Sequence, residues 1–133
     1  MAKVAIFDDT LQKWIEYDED TEVLIQYLPK EAAKELSAKV DKIVNRTGSP
    51  WAQVWEQKIA EAAVKGWRQM GNHSHPGFVL PDGSPIPFTP ENRDMMMKRC
   101  REFSTFVTDN AIDAKIFMEI STKPAEAAEI KND

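Results

Sequence analysis

Between His75 and Thr89 the chain carries four prolines and two glycines. No regular helix can cross such a stretch, because each proline lacks an N–H and its ring clashes with the preceding turn. Any helix must therefore end before it or begin after it. Within it, Asp82-Gly83 is a turn signal between FVL (Phe78 to Leu80) and PIPF (Pro85 to Phe88), which predicts a short hairpin or ordered loop.

On the N-terminal side the apolar period changes once. LQKWIEY (Leu11 to Tyr17) and EVLIQYL (Glu22 to Leu28) are rich in β-branched and aromatic residues, and the acidic segment Asp18 to Thr21 separates them. This pattern predicts a β-hairpin. Ile15 and Tyr17 share one face, as do Val23, Ile25 and Tyr27. VAIF (Val4 to Phe7) is a candidate third strand. From Pro29 the spacing becomes helical: Ala33, Leu36, Val40, Ile43 and Val44 form one stripe, which Gly48 and Pro50 end. Ser49 is placed to cap a second helix with Pro50 at its first position. Trp51, Val54, Trp55, Ile59, Ala63 and Trp67 fall along one face of that helix, with Gly66 near its end.

On the C-terminal side, Thr89-Pro90-Glu91 reads as a cap, a proline at the first turn and an acid favoured by the helix dipole. Met96, Cys100, Phe103, Val107, Ala111, Ala114 and Phe117 continue one stripe, with a break near Cys100 left open. The segment from Thr122 to Asp133 is expected to fray as a tail. The predicted fold class is α+β: a small N-terminal antiparallel sheet followed by three to four helices, as a single domain over residues 1–121. At 133 residues the chain can bury roughly two thirds of its unfolded surface without a metal or disulfide staple.

Charge limits the partners. The net charge of −5 argues against general affinity for nucleic acid or anionic membrane. Lys98 to Arg101 (KRCR) is the one local basic run, and it reads as a solvated helix face. No apolar run approaches the roughly 18 residues of a membrane span. The first ten residues do not read as a secretory signal, so the cytoplasm is the expected location.

Candidate chemistry is sparse. Cys100 is the single cysteine, and although its basic neighbours could lower a thiol pKa, both histidines lie in another segment. His73 and His75 could face one metal ion from an extended chain, with Asp82 as a possible third group. No further His or Cys is adjacent, and a polar loop is the plainer reading. The expectation is no catalytic residue, no metal and no cofactor. Met95-Met96-Met97 cannot all face one side of a helix. Exposed methionine suits an adaptable apolar binding surface, while core filling is the bland alternative. Trp51 and Trp55, with Trp67 on the same helix, suggest either a core spine or an aromatic binding patch.

One pattern goes beyond these local readings. GWRQM (Gly66 to Met70) followed by LPDGSPIPFTPEN (Leu80 to Asn92) resembles a pattern in the tail assembly chaperones of long-tailed, lambda-like bacteriophages and prophages. There a helix ends in a tryptophan, and an Asp-Gly turn, a Pro-Phe-Thr step and a helix opening with Glu-Asn follow. The matching residues are Trp67, Asp82, Gly83, Pro87, Phe88, Thr89, Glu91 and Asn92. The leader FDDTLQKWIEYDEDTEVLIQYL is similar to the strand region of such proteins. The insertion Gly71 to Val79 looks longer than the family's usual connection. The resemblance implies a non-enzymatic protein of the bacterial host cytoplasm. It would bind the tape measure protein, with the tail tube protein as a second candidate partner, through an apolar surface for which Met95, Met96, Met97, Trp51 and Trp55 are the candidates. The alternatives are a minor tail or head–tail connector protein, a small metal-binding module or enzyme, and a host regulator.

Overall fold

The acidic stretch after the first strand folds into its own turn. Asp18 Oδ1 accepts hydrogen bonds from the backbone N–H of Asp20 (2.9 Å) and Thr21 (2.8 Å), and Tyr17 N–H donates to Thr21 O at 2.8 Å. A short acidic side chain thus substitutes for a backbone acceptor and reverses the chain. It joins β1 (Gln12–Glu16) to β2 (Thr21–Gln26) in antiparallel register, with Trp14 opposite Leu24 and Ile15 opposite Val23. The computed structural model describes residues 11–117; the candidate strand at Val4 to Phe7 and the expected tail from Thr122 lie outside them.

Two helices follow, α1 (Lys30–Thr47) and α2 (Trp51–Ala63). Each starts one residue later than its sequence suggests. Pro29 and Pro50 occupy the cap positions in extended backbone (ψ 164° and 136°), and their carbonyls accept the first helical bonds, from Ala33 and Val54. Ser49 is therefore not the cap of α2; its hydroxyl accepts from Thr47 Oγ1 at 3.0 Å. Gly48 closes α1 in the left-handed conformation (φ 75°), donating to Val44 O at 2.8 Å.

The third strand of the sheet is a correction. The sequence carries the helical face on to Trp67, but α2 stops at Ala63 and β3 (Val64–Gln69) begins at once. β3 pairs antiparallel with β2, giving the order β1-β2-β3. The register explains the helix-like spacing. Ile25 pairs with Val64, Leu24 with Gly66 and Val23 with Trp67, so Lys65 is an extra residue in a bulge. In an unbroken strand Val64 and Trp67 would face opposite sides. The bulge turns both into the core, where they are 1% and 5% exposed. The resulting spacing of three imitates a helix stripe.

Past the loop, α3 (Pro90–Arg99) and α4 (Arg101–Ala111) replace the single long stripe. Cys100 adopts extended backbone (φ −112°, ψ 101°) between them. Helical backbone resumes at 114–117, at the limit of the described residues. Val23 and Ile25 of β2, Ile59 and Ala63 of α2, and Phe103 and Val107 of α4 are fully buried in one cluster. The sheet thus buries one face against α2 and α4, each large aliphatic side chain contributing about 1.5–3 kcal/mol. α3 packs against α2 and α4, while α1 packs chiefly on α2, with Val40 its fully buried residue. The architecture is α+β, with strands mostly N-terminal. No helix among the described residues is long and apolar enough to cross a membrane.

Candidate functional site

The residues of the recognised pattern form one contiguous unit between β3 and α3. Trp67, brought inward by the bulge, donates from Nε1 to the carbonyl oxygen of Ile86 at 2.8 Å. The bond satisfies a buried indole N–H and pins the returning arm of the loop. Phe88 stands edge-on to Trp67, with ring centroids 4.9 Å apart and an interplanar angle of 90°. Phe78 approaches Trp67 in the same manner at 5.2 Å. Ile86 is buried (7% exposed) although its PIPF setting gave no sign of it.

The loop between these anchors is a hairpin of the expected kind. Ile86 N–H donates to Phe78 O (2.9 Å), Leu80 N–H to Ser84 O (2.8 Å), and Val79 and Pro85 form a bridge. Asp82 accepts from Ser84 N–H at 2.9 Å, and Gly83 takes the left-handed position (φ 90°). The hydrogen bonds from Ser84 hold the Asp82 carboxyl below its ordinary range. Thr89 then caps α3: its Oγ1 accepts from Asn92 N–H at 3.0 Å, and Asn92 Nδ2 reaches back to Pro87 O at 2.8 Å. Glu91 lies in the first turn, where the dipole favours an acid. Trp67, Phe88, Thr89 and Asn92 are thus joined by contact; Pro87 contributes its carbonyl, and Asp82 and Gly83 form the tip.

The expected binding residues divide. Met96 and Met97 are buried (7% and 2% exposed) and Met95 packs half-buried against the same core. The methionine run therefore fills the space between α3 and its neighbours, and it offers no open apolar stripe. Trp51 is 40% exposed and stacks on half-buried Trp55, centroids 5.4 Å apart and planes 14° from parallel. Its Nε1 donates to Asp41 Oδ1 at 2.8 Å, which ties the ring to α1. A second exposed apolar site lies at the hairpin tip, where no sequence pattern marks it: Val79 and Leu80 are 47% and 45% exposed. They sit on the outside of a turn whose fixed backbone directs Phe78 and Ile86 inward.

The polar candidates are placed apart from one another. His75 Nδ1 accepts from Gly77 N–H at 2.9 Å, so this ring serves the turn. His73 is largely exposed, its Nε2 3.9 Å from Glu22 Oε2. Among the described residues no group of three or more His, Cys, Asp or Glu lies together to hold a metal ion. Cys100 is half-buried, with its thiol against the Tyr17 hydroxyl. Burial, with that contact and the nearby Glu102 and Asp18 carboxylates, pushes the Tyr17 hydroxyl up to about 12. Lys98, Arg99 and Arg101 are exposed around the break between α3 and α4. A groove between α2 and α3 is lined by Gln53, Glu56, Gln57, Asp94, Met97 and Lys98, and Glu56 accepts there from Ser104 Oγ at 3.0 Å. No protein family, curated protein or solved structure matches the chain.

Proposed function

We propose that the protein is a non-enzymatic tail assembly chaperone of a long-tailed bacteriophage or prophage, holding the tape measure protein in the bacterial cytoplasm while the tail assembles. The observation that carries this reading is the unit built by Trp67, Ile86, Phe88, Thr89 and Asn92. The residues that resemble the family pattern are joined into a single packed and capped element, although Trp67 enters it from strand β3 and not from the helix end that the pattern describes.

The binding surface under this reading is Trp51 with Trp55 and the hairpin tip at Val79 and Leu80. Both place large apolar side chains in solvent on rigid supports, which lowers the entropic cost of contact, and exposed aromatics of this kind are typical anchors. Shielding an aggregation-prone helical partner needs such surfaces. Co-expression with the tape measure protein of the same genome tests the proposal. The partner's soluble yield should rise and the two should co-purify. Trp51→Ser and Leu80→Ser should each weaken the complex with the fold intact. A partner equally soluble alone, or this chain found in mature tails, would overturn the assignment in favour of a structural tail protein.

A further inference from the structure

On the sheet the chain completes an aromatic–cation–carboxylate sandwich. Arg68 lies 3.8 Å over the Trp14 ring, and its Nε donates to Glu22 Oε2 at 2.6 Å. A guanidinium set this way meets the negative face of an indole below and a counter-charge at its edge. The start of α2 repeats two of these three parts. Trp51 lays one ring face on Trp55, planes 14° apart, and donates from Nε1 to Asp41 Oδ1 at 2.8 Å. Its 40% exposure therefore falls on the opposite ring face. Asp41 is exposed too, and among the described residues its carboxylate bonds to that indole alone, with no cation against the carboxylate or the ring. Neighbouring cations do not fill the place. Helical spacing sets Lys42 and Arg46 about 100° or more round α1 from Asp41, and Lys58 of α2 is paired with Glu61 at 3.4 Å.

We propose that the open face of Trp51 and the Asp41 carboxylate form a docking site for an arginine side chain of a partner protein. The part absent from this site, relative to the Trp14 sandwich, is the cation. Guanidinium suits both groups at once: its plane stacks on an indole, and its edge N–H groups remain free for a carboxylate. Lysine would bring the charge without the flat face. Both receiving groups are already fixed, the ring by Trp55 and the carboxylate by the indole bond, so contact orders only the incoming side chain. The net charge of −5 favours the approach of a basic segment. This inference rests on the reading of Trp51 as a partner-binding residue and names the group that residue takes.

The probe is an alanine-based helical peptide with one central arginine, titrated into the full chain while the Trp51 indole N–H resonance is followed. Trp51→Phe assigns that resonance. The same peptide with citrulline keeps the shape and N–H groups of arginine but not its charge, and a lysine version keeps the charge but not the plane. The arginine peptide should shift the Trp51 resonance saturably, and the citrulline peptide should bind roughly fivefold more weakly. Asp41→Asn keeps an oxygen for the indole bond and removes the counter-charge. It should weaken the arginine peptide about threefold, with the Trp14 and Trp67 indole resonances unmoved. An unshifted Trp51 resonance, a citrulline or lysine peptide bound as tightly as the arginine one, or full affinity in Asp41→Asn overturns the proposal. If Asp41→Asn disturbs the fold, the peptide series on the unaltered protein decides alone. Co-expression with the tape measure protein reads the chaperone assignment separately, so either result can fail without the other.

Discussion

Three glycines take positive φ, and only one of them is crowded. At Gly48 (φ 75°) and Gly83 (φ 90°) an added Cβ would meet nothing within 4 Å. At Gly77 (φ 88°) it would lie 2.7 Å from Thr21 Cγ2 and 2.9 Å from Arg68 O. Gly77 is where the loop after β3 crosses back over the sheet, close enough for Thr21 Oγ1 to donate to Gly77 O at 3.2 Å. Alanine at 83 should cost only the left-handed backbone term, about 1–2 kcal/mol. Alanine at 77 should carry the same term plus the overpacking, about 1–3 kcal/mol more. The Arg68 carbonyl belongs to the β2–β3 ladder, so it cannot yield without loosening the sheet.

Urea denaturation of Gly77→Ala beside Gly83→Ala isolates the steric part, because the backbone term is shared. With m near 1–3 kcal/mol/M, the extra loss should lower the Gly77→Ala midpoint by about 1 M relative to Gly83→Ala, at unchanged m. Adding Thr21→Ser removes the 2.7 Å contact and keeps the hydroxyl, so it should restore part of the loss and leave the carbonyl clash. Two variants agreeing within about 0.5 kcal/mol, the range of ordinary surface substitutions, would refute the close crossing of loop and sheet at Gly77.

Other expectations are narrower. Trp67→Phe keeps the aromatic packing but orphans the Ile86 carbonyl, and a loss of about 1–3 kcal/mol is expected by denaturation. Phe88→Ala should cost about 2–4 kcal/mol, somewhat below a fully buried phenylalanine; a change under about 0.5 kcal/mol would place Phe88 outside the core. Thr89→Ala removes the cap of α3 and should cost about 1 kcal/mol, while Thr89→Ser should recover most of it. Tyr17 titrates above its ordinary 10.0, at about 12, so the folded state holds the proton that the unfolded chain releases. Its contribution to stability is therefore complete below pH 10 and declines between pH 10 and 12. Ultraviolet titration should show a late tyrosine step that Tyr17→Phe removes.

Local chemistry made much of this architecture legible. The hairpin, the Gly48 stop, the Asp82-Gly83 turn and the Thr89 cap each depend on residues within a few positions of one another. What the chain hid depends on distant partners. Nothing near Val64 announces a strand; β2 supplies the pairing that ends α2 at Ala63, and the Lys65 bulge restores the spacing that had looked helical. Ile86 shows the same dependence, because its burial follows from the Trp67 bond nineteen residues earlier in the chain.

The methionine run bears on how partner binding should be probed. Three adjacent methionines cannot share one helix face, yet exposure does not follow, because α3 has neighbours on more than one side. It packs against α2 and α4, so adjacent positions can each meet a different element, and Met96 and Met97 are both buried. Lysine at either position would place a charge in the core and report on folding whatever the protein binds. Trp51 and Leu80 are cleaner probes. Each is exposed and is held from outside the core: Trp51 by Asp41 and the Trp55 ring, Leu80 by the turn bond to Ser84. A polar residue at Leu80 should leave stability within about 0.5 kcal/mol of the unaltered protein, while at Trp51 it also removes the Trp55 stacking and the Asp41 bond, about 1–3 kcal/mol together, so denaturation of that variant is measured beside its binding. Loss of a partner at either one can then be read as loss of contact.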